Sequence, residues 1–258
     1  MWFRLWYDAT AGFFFVLGPR RMSASIADTS KVAFHFEGVP PLEPGDRLTR
    51  AEFERRWEAM PEVKRAELIE GVVYMGAAVR YRRHGRPNRW ITRLLVTYEN
   101  HTPGVAGAEN TSIRMDLDNM PQPDSLLLIE PPHSRTITIS DDDYLEGAPE
   151  LIVEIASSSA SYDLGVKLQA YRRNGVPEYL VWRVLDRAFD WFVLHEGEYI
   201  RQPLDEAGVI RSTMFPGLWL DTRALLDGKF ATAFETLERG LATPEHEAFV
   251  KQLGSSSA

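Results

Sequence analysis

The chain has 258 residues, of which 44% are hydrophobic and 11% aromatic, and its formal net charge at pH 7 is -8. These values predict a soluble globular protein with one sizeable core, and the acidic charge argues against a protein that coats nucleic acid through bulk charge. The chain has no cysteine. Disulfides, thiolate metal sites and cysteine nucleophiles are therefore excluded, and any metal must be held by oxygen or imidazole ligands.

Residues 1–41 begin with an apolar segment that superficially resembles a targeting sequence. The apolar run from Ala9 to Leu17 is too short to span a bilayer, and Asp8 lies where a signal peptide would be basic. We expect a poorly ordered leader, with translation from Met22 as an alternative start. Together with the absence of cysteine, these features predict a cytoplasmic protein without a membrane partner.

The first predicted helix begins at Thr49, because Glu52 three residues later completes a capping box. The segment RAELIEGVVYMG predicts a helix end that runs into a strand around Gly71, which places Glu67 on a helix. Residues 88–99 carry apolar side chains at helical spacing and predict an amphipathic helix.

Strands dominate the second half of the chain. The segments NTSIRMDLD and QPDSLLLIE predict strands, and PPHSRTITISDDDYLEGAP predicts a loop. A strand over 151–156 is followed by a helix that ends at Asn174 and Gly175, and then by a strand over 179–184. The segment AFDWFVLHEGEYI predicts a hairpin partner, and FPGLWLDTRALL predicts a loop and a short helix.

Helices and strands interleave through residues 42–229, with hairpins at the edges. This order predicts one domain of the α/β or α+β class, with a mixed central β-sheet flanked by helices. Residues 230–258 predict a C-terminal tail that is helical or disordered.

The strand LIVEIA contains an acidic residue, Glu154, in an apolar run typical of a strand buried on both faces. A buried ionised carboxylate is costly unless a cation pairs with it. In the following helix Leu164, Leu168 and Tyr171 form an apolar stripe, and Lys167 lies on the same face. We therefore predict that Lys167 lies beside Glu154.

Two further acidic residues extend this candidate site. Asp124 follows a proline at the start of a predicted strand, and Glu67 precedes the first strand. Carboxylates on adjacent strands suit Mg²⁺ or Mn²⁺, and a neighbouring lysine can orient a water or stabilise the charge of a transition state. These residue types together predict phosphodiester hydrolysis.

The order and spacing of several motifs resemble the Uma-two family of putative restriction endonucleases, in the PD-(D/E)xK nuclease superfamily. The resemblance covers roughly residues 48–226. The motifs are AELIEG at 66–71, QPD at 122–124, PELIVEI at 149–155, DLGVKLQAY at 163–171, GVPEYLVW at 175–182 and FPGL at 215–218.

The resemblance implies a restriction-endonuclease-like core and a metal-dependent DNA endonuclease that uses Mg²⁺, with Mn²⁺ as a substitute. It implies that Asp124, Glu154 and the carbonyl of Ile155 hold the metal. It also implies that the catalytic lysine is Lys167, displaced from the strand onto the helix, where it would position or deprotonate the attacking water. Glu67 would match the glutamate of the superfamily's first helix and reach the metal directly or through water.

Three places depart from the family pattern, one of which is SSS at 157–159 instead of the usual Ser-Pro-Ser. Asn88 stands where the family often has a histidine opening the second helix, with His84 four residues earlier, and no role is carried onto either residue. Arg183 stands where relatives commonly have an acid. Neither Arg183 nor the SSS segment changes a predicted metal ligand.

The segment RYRRHGRPNR is strongly basic and precedes the predicted second helix. Its arginines could follow a DNA backbone, or they could form a solvated loop that balances an acidic protein. A homodimer would suit cleavage of both strands. The arginines are Arg80, Arg82, Arg83, Arg86 and Arg89.

Each assignment has a structural alternative. Glu154 and Lys167 could form a buried ion pair without catalytic function. Asp124 could be a turn residue, and Glu67 could lie on a surface helix. The alternative function is a catalytically inactive nuclease-fold protein that binds nucleic acid or a protein partner.

Overall fold

The computed structural model describes residues 38–76, 78–134 and 136–255. The leader predicted over residues 1–41 lies outside the described residues except for 38–41, and the last residues of the predicted tail, 256–258, also lie outside them. In the described part of the chain, no helix is both long and apolar enough to cross a membrane.

The strands of the described residues fall into one large sheet and three small ones. They are β1 (Ala66–Ile69), β2 (Val72–Met75), β3 (Val105–Ala108), β4 (Ile113–Arg114), β5 (Ser125–Ile129), β6 (Ile137–Ile139), β7 (Leu145–Gly147), β8 (Leu151–Ala156), β9 (Glu178–Arg183), β10 (Ala188–His195), β11 (Glu198–Arg201), β12 (Val209–Arg211) and β13 (Trp219–Asp221).

The helices include two short π-helical segments, a rare element that often occurs at functional sites. The first π-helical segment (Tyr81–Gly85) leads into α2, and the second (Asp163–Lys167) joins α3 to α4. The α-helices are α1 (Arg50–Glu58), α2 (Arg86–Asn100), α3 (Ala160–Tyr162), α4 (Leu168–Arg173), α5 (Thr222–Leu226), α6 (Phe230–Leu241) and α7 (Pro244–Ser255).

The large sheet has the strand order β11-β10-β9-β8-β5-β3. Strands β8 and β9 are parallel, whereas the other neighbours in this sheet are antiparallel. A parallel pair needs a crossover connection, and here it consists of α3, the second π-helical segment and α4. The predicted fold class, a mixed sheet flanked by helices, is confirmed.

All of β8 is buried, and its side chains alternate between two cores. Leu151, Val153 and Ile155 belong to the core that contains the buried face of α2. Ile152 and Ala156 belong to the core that contains Tyr171 of α4. Glu154 lies between Ile152 and Ala156, so the pleat of the strand directs its side chain towards α4.

Residues 230–255, part of the predicted tail, form α6 and α7. Ala233, Leu237 and Leu253 are buried in the same core as α2. These two helices therefore contribute to the main hydrophobic core.

The prediction that Glu67 lies on a helix is wrong. Ala66–Ile69 is β1, which pairs with β2 so that Ile69 lies opposite Val72. The two residues between them, Glu70 and Gly71, have φ angles of 55° and 70°. Positive φ at both positions is what a tight two-residue hairpin turn requires, so the segment forms a hairpin with Glu67 on its first strand.

The loop predicted over PPHSRTITISDDDYLEGAP is also wrong in part, because it contains β6 and β7. Strand β7 pairs parallel with β4 and antiparallel with β6. The strand predicted over NTSIRMDLD is limited to β4. These short strands are defined by pairing between distant segments, which local sequence does not reveal.

Candidate active site

Lys167 lies at the centre of a cluster of buried charges. Its side chain is 2% exposed, and its Nζ lies 2.7 Å from Glu154 Oε1 and 2.7 Å from Glu67 Oε1. The contact predicted between Lys167 and Glu154 is therefore present. Lys167 ends the second π-helical segment, which packs over the face of β8 that carries Glu154.

Glu154 is 3% exposed and uses one of its two oxygens for protein contacts. The Tyr171 hydroxyl of α4 donates to Oε1 at 3.0 Å, and Oε1 also accepts from Lys167. The other oxygen, Oε2, accepts no hydrogen bond from the described residues. One carboxylate oxygen is therefore held in place by two donors, and the other has no donor among the described residues.

Asp124 immediately precedes β5 and is 2% exposed. Its Oδ2 accepts from the Ile155 backbone N–H at 2.8 Å and lies 3.0 Å from His84 Nε2. Arg65 approaches Oδ1 at 3.4 Å. Burial opposes ionisation, but His84, the Ile155 N–H and Arg65 outweigh burial and lower the pKa of Asp124. Asp124 is therefore an anion that is anchored to the backbone beside Glu154.

The carbonyl of Ile155 faces the same side of β8 as Asp124. The N–H and C=O of one strand residue point to the same side, and the Ile155 N–H points to Asp124. The next carbonyl, of Ala156, points to the other side and accepts from Val184 N at 2.9 Å. The Ile155 carbonyl thus lies on the side of β8 that faces β5, just beyond the first residue of β5.

Carboxylates outnumber permanent cations in this cluster. Burial raises the pKa of Glu154 well above its usual range, the ammonium of Lys167 opposes that rise, and the neighbouring carboxylates add to it. A divalent cation would offset the mutual repulsion of these carboxylates and favour their ionised forms. The carboxylates are Glu67, Asp124, Glu154 and Asp163, and the cations are Lys167 and Arg65.

Asp124, Glu154 and the Ile155 carbonyl supply hard oxygen donors, which suit Mg²⁺ or Mn²⁺. Within residues 38–76, 78–134 and 136–255, no group of three or more acidic or histidine side chains is arranged as a metal site. This is compatible with Mg²⁺, which commonly uses one or two protein carboxylates and completes its shell with waters and substrate phosphate oxygens.

Lys167 is held in its charged form. Burial lowers its pKa, but the carboxylates of Glu154, Glu67 and Asp163 outweigh burial and raise the pKa above its usual value. The ring of Tyr162 lies 5.3 Å from Nζ and adds a favourable contact with the cation. Lys167 is therefore a hydrogen-bond donor and a positive charge, and it is poorly suited to accept a proton.

Glu67 reaches the cluster from the β1–β2 hairpin and is 7% exposed. Its Oε1 contacts Lys167 and accepts from the Gln122 backbone N–H at 2.8 Å. Gln122 lies two residues before Asp124, so Glu67 ties the hairpin to the segment that carries Asp124.

Three contacts of the site are absent from the sequence prediction. Arg65 and His84 contact Asp124, and the Tyr171 hydroxyl contacts Glu154. A histidine near the start of the second helix was the available signal for His84. The first π-helical segment brings that histidine to Asp124 from a position before α2, which the sequence alone did not indicate.

Two of the departures from the family pattern, Asn88 and Arg183, have structural explanations. Asn88 Oδ1 accepts from Ser125 Oγ at 3.3 Å, one residue after Asp124. Arg183 forms ion pairs of 2.6 Å each with Asp186 and Asp190 at the end of β9. Arg183 therefore neutralises local acids of the β9–β10 hairpin.

The comparisons with known proteins agree with this architecture. The sequence model of the Uma2 family, described as "Putative restriction endonuclease", matches residues 50–223. The fold is similar to the crystal structure of a putative nuclease belonging to DUF820 from Anabaena variabilis ATCC 29413, with 12% identity and a TM-score of 0.50 over 71% of this chain and 97% of that chain. This likeness concerns the fold, which is restriction-endonuclease-like. No curated protein matches the chain.

Proposed function

The chain belongs to the Uma2 family of putative restriction endonucleases, and from this premise we propose that it is a metal-dependent DNA endonuclease. The family supports nuclease function in general. The observation that carries the proposal is the position of Lys167, 2.7 Å from both Glu67 and Glu154, beside the backbone-anchored carboxylate of Asp124.

The proposed metal ligands are Asp124, Glu154 and the carbonyl of Ile155, and the proposed metal is Mg²⁺, with Mn²⁺ as a substitute. When bound, such a cation lowers the pKa of a water and offsets the charge of the scissile phosphate. Glu154 suits this role because Oε1 is occupied by Lys167 and Tyr171, which leaves Oε2 for a ligand.

Lys167 is the proposed catalytic lysine. Because its neighbours keep it protonated, it would orient the attacking water or stabilise the negative charge that grows on the phosphate oxygens. A preorganised positive charge in a buried site is effective because little reorganisation is needed during the reaction.

Glu67 is the proposed positioning residue for Lys167. Its Oε1 contacts the ammonium and a backbone N–H at the same time, which fixes the direction of the lysine side chain. A direct or water-mediated contact between Glu67 and the metal stays a prediction from the family resemblance.

The proposed partner is DNA, contacted through the basic segment before and within the start of α2. Neutralised phosphates release counterions, so binding should weaken steeply as salt rises. A homodimer, which would present one site to each strand of a duplex, stays a prediction. The proposed contacts are Arg80, Arg82, Arg83, Arg86 and Arg89.

The test is cleavage of supercoiled plasmid by purified full-length protein with Mg²⁺, Mn²⁺ or EDTA. We expect wild type to cut only with metal and Glu154→Gln to lose cleavage. The matched control is Glu178→Gln, which changes an equally buried glutamate on the neighbouring strand and should still cut. Cleavage by Glu154→Gln at the wild-type rate would contradict the assignment of the site.

The alternative is a catalytically inactive protein that binds nucleic acid or a protein partner through the same fold. Lys167 lies between two carboxylates at 2.7 Å, and such an arrangement can also stabilise a fold without reacting. This alternative predicts DNA binding without cleavage under any metal, together with a loss of stability in Glu154→Gln.

A further inference from the structure

An exposed aromatic ring lies within the basic segment. Tyr81 is 72% exposed, and Val79 is 59% exposed. Residues 78–83 are all exposed, and the ring of Tyr81 makes no aromatic contact with the described residues. This apolar surface is limited to two side chains between arginines, which is too small for a stable protein interface.

The arginines around Tyr81 are not neutralised by the protein. Arg80, Arg82, Arg83 and Arg89 form no ion pair with the described residues, although the chain carries an excess of acids. Many other arginines are paired, as in Arg114 with Glu54 and Asp142, although Arg47, Arg93, Arg223 and Arg239 also form no ion pair with the described residues. An unpaired cluster of positive charge on an acidic protein indicates an anionic ligand.

Tyr81 lies close to the candidate active site. It begins the first π-helical segment, and His84 in the same segment lies 3.0 Å from Asp124. Tyr81 is thus three residues, less than one helical turn, from the histidine that contacts the proposed metal ligand Asp124. A DNA strand that followed this segment would therefore pass the histidine that contacts Asp124.

We propose that Tyr81 and its flanking arginines form a stacking surface for an unpaired base, so that the site takes single-stranded or locally unpaired DNA. This inference rests on the proposed function, because it names the substrate class of the same site. Aromatic rings between basic side chains bind single strands in this way, with the ring stacking on a base and the charges following the backbone.

Duplex DNA can contact the arginines of this surface but not stack on the ring of Tyr81. In a duplex each base face is covered by its neighbours, so a protein ring has no free face to stack on, whereas the phosphates remain accessible to arginine. Tyr81 should therefore contribute to single-strand binding, and the arginines should contribute to both forms.

The test is the affinity of full-length protein for a labelled DNA strand of about 20 nucleotides and for the matching duplex, measured in EDTA so that neither is cut. Tyr81→Ala should weaken single-strand binding about tenfold and duplex binding less than about twofold. Tyr81→Phe keeps the ring and should bind both within about twofold of wild type. Arg82→Gln should weaken both and reduce the salt dependence of both.

Equal losses for both DNA forms in Tyr81→Ala, or no loss in either, would overturn the stacking surface. Because binding is measured without metal, this result is separate from the cleavage test. Tyr81-dependent binding without cleavage by wild type would support the stacking surface and refute the endonuclease proposal. Metal-dependent cleavage without a Tyr81 effect on binding would support the endonuclease proposal and refute the stacking surface.

Discussion

Glu154 and Glu178 are buried carboxylates on the neighbouring parallel strands β8 and β9, and their surroundings differ. Glu178 accepts from Ser212 Oγ at 2.6 Å through one oxygen, and from Thr213 and Met214 through the other. All of its partners are neutral groups of one loop. Glu154 has one oxygen bound by Lys167 and Tyr171 and the other without a hydrogen bond from the described residues.

The difference distinguishes a structural carboxylate from a candidate reactive one. Both oxygens of Glu178 are satisfied, so it anchors the loop over residues 212–214 and needs no further ligand. Glu154 shares the ammonium of Lys167 with Glu67 and lies among further carboxylates. A divalent cation would therefore offset the repulsion between these carboxylates. Burial alone therefore does not identify a site; the distribution of donors around the carboxylate does.

The largest expected effect is that of Lys167→Met. The variant removes the ammonium between Glu67 and Glu154, and cleavage should fall about 10³-fold or more. Lys229→Met is the control, because Lys229 is an exposed lysine paired with Asp227. The measurement is the initial rate of plasmid nicking at equal concentrations of folded protein. Equal rates for the two variants would remove Lys167 from the mechanism.

The second-largest expected effect is a difference between Glu154 and Glu178 in how their substitution changes stabilisation by metal. At a Mn²⁺ concentration about 100 times its Kd, wild type should gain about 2.7 kcal/mol of unfolding free energy, because the cation binds the native site. Glu178→Gln should keep this gain, and Glu154→Gln should lose most of it. The measurement is the free energy of urea unfolding of wild type and both variants, with and without Mn²⁺. A gain retained by Glu154→Gln would place the metal elsewhere.

Tyr171→Phe should have a smaller effect, because it removes a hydroxyl that orients Glu154 and leaves the ring in the core. We expect cleavage to fall about tenfold, as is typical for groups that orient metal ligands. Tyr199→Phe is the matched control, since its hydroxyl donates to the Val176 carbonyl at 2.9 Å. The rates of both variants are compared with wild type. A similar loss in both would indicate a general packing effect.

The smallest effect on cleavage is expected for Glu178→Gln. Its partners Ser212, Thr213 and Met214 would lose a charged acceptor, which should cost about 1–3 kcal/mol of unfolding free energy. The cleavage rate per folded molecule should stay within about twofold of wild type. Urea unfolding and nicking rates test both statements. A severe loss of cleavage with unchanged stability would make Glu178 part of the reaction.

Two parts of the prediction depended on local patterns and agree with the structure. The alternation along β8 and the helical spacing of Lys167 with Tyr171 are properties of single elements, so the contact between Lys167 and Glu154 could be predicted. The turn at Asn174 and Gly175 likewise ends α4 where predicted. Their catalytic roles stay predictions.

The errors concern segments whose conformation depends on pairing with other parts of the chain. The pattern of polar and apolar residues in AELIEG did not show whether the segment forms a helix or a hairpin. It forms a hairpin because β1 pairs with β2. Strands β6 and β7 exist only through their mutual pairing and the contact with β4. Tertiary pairing overrides weak local preferences in such short strands.

The sequence by itself determined the fold class, the buried position of Glu154 and its pairing with Lys167, because periodicity decides which side chains share a face. Only the tertiary structure decided that His84 and Arg65 contact Asp124, that Glu67 shares Lys167 with Glu154, and that Glu154 Oε2 accepts no hydrogen bond from the described residues. These contacts join segments far apart in the chain. Their geometry depends on a hairpin and on π-helical segments, and the periodicity of apolar residues in the sequence does not predict where these elements lie.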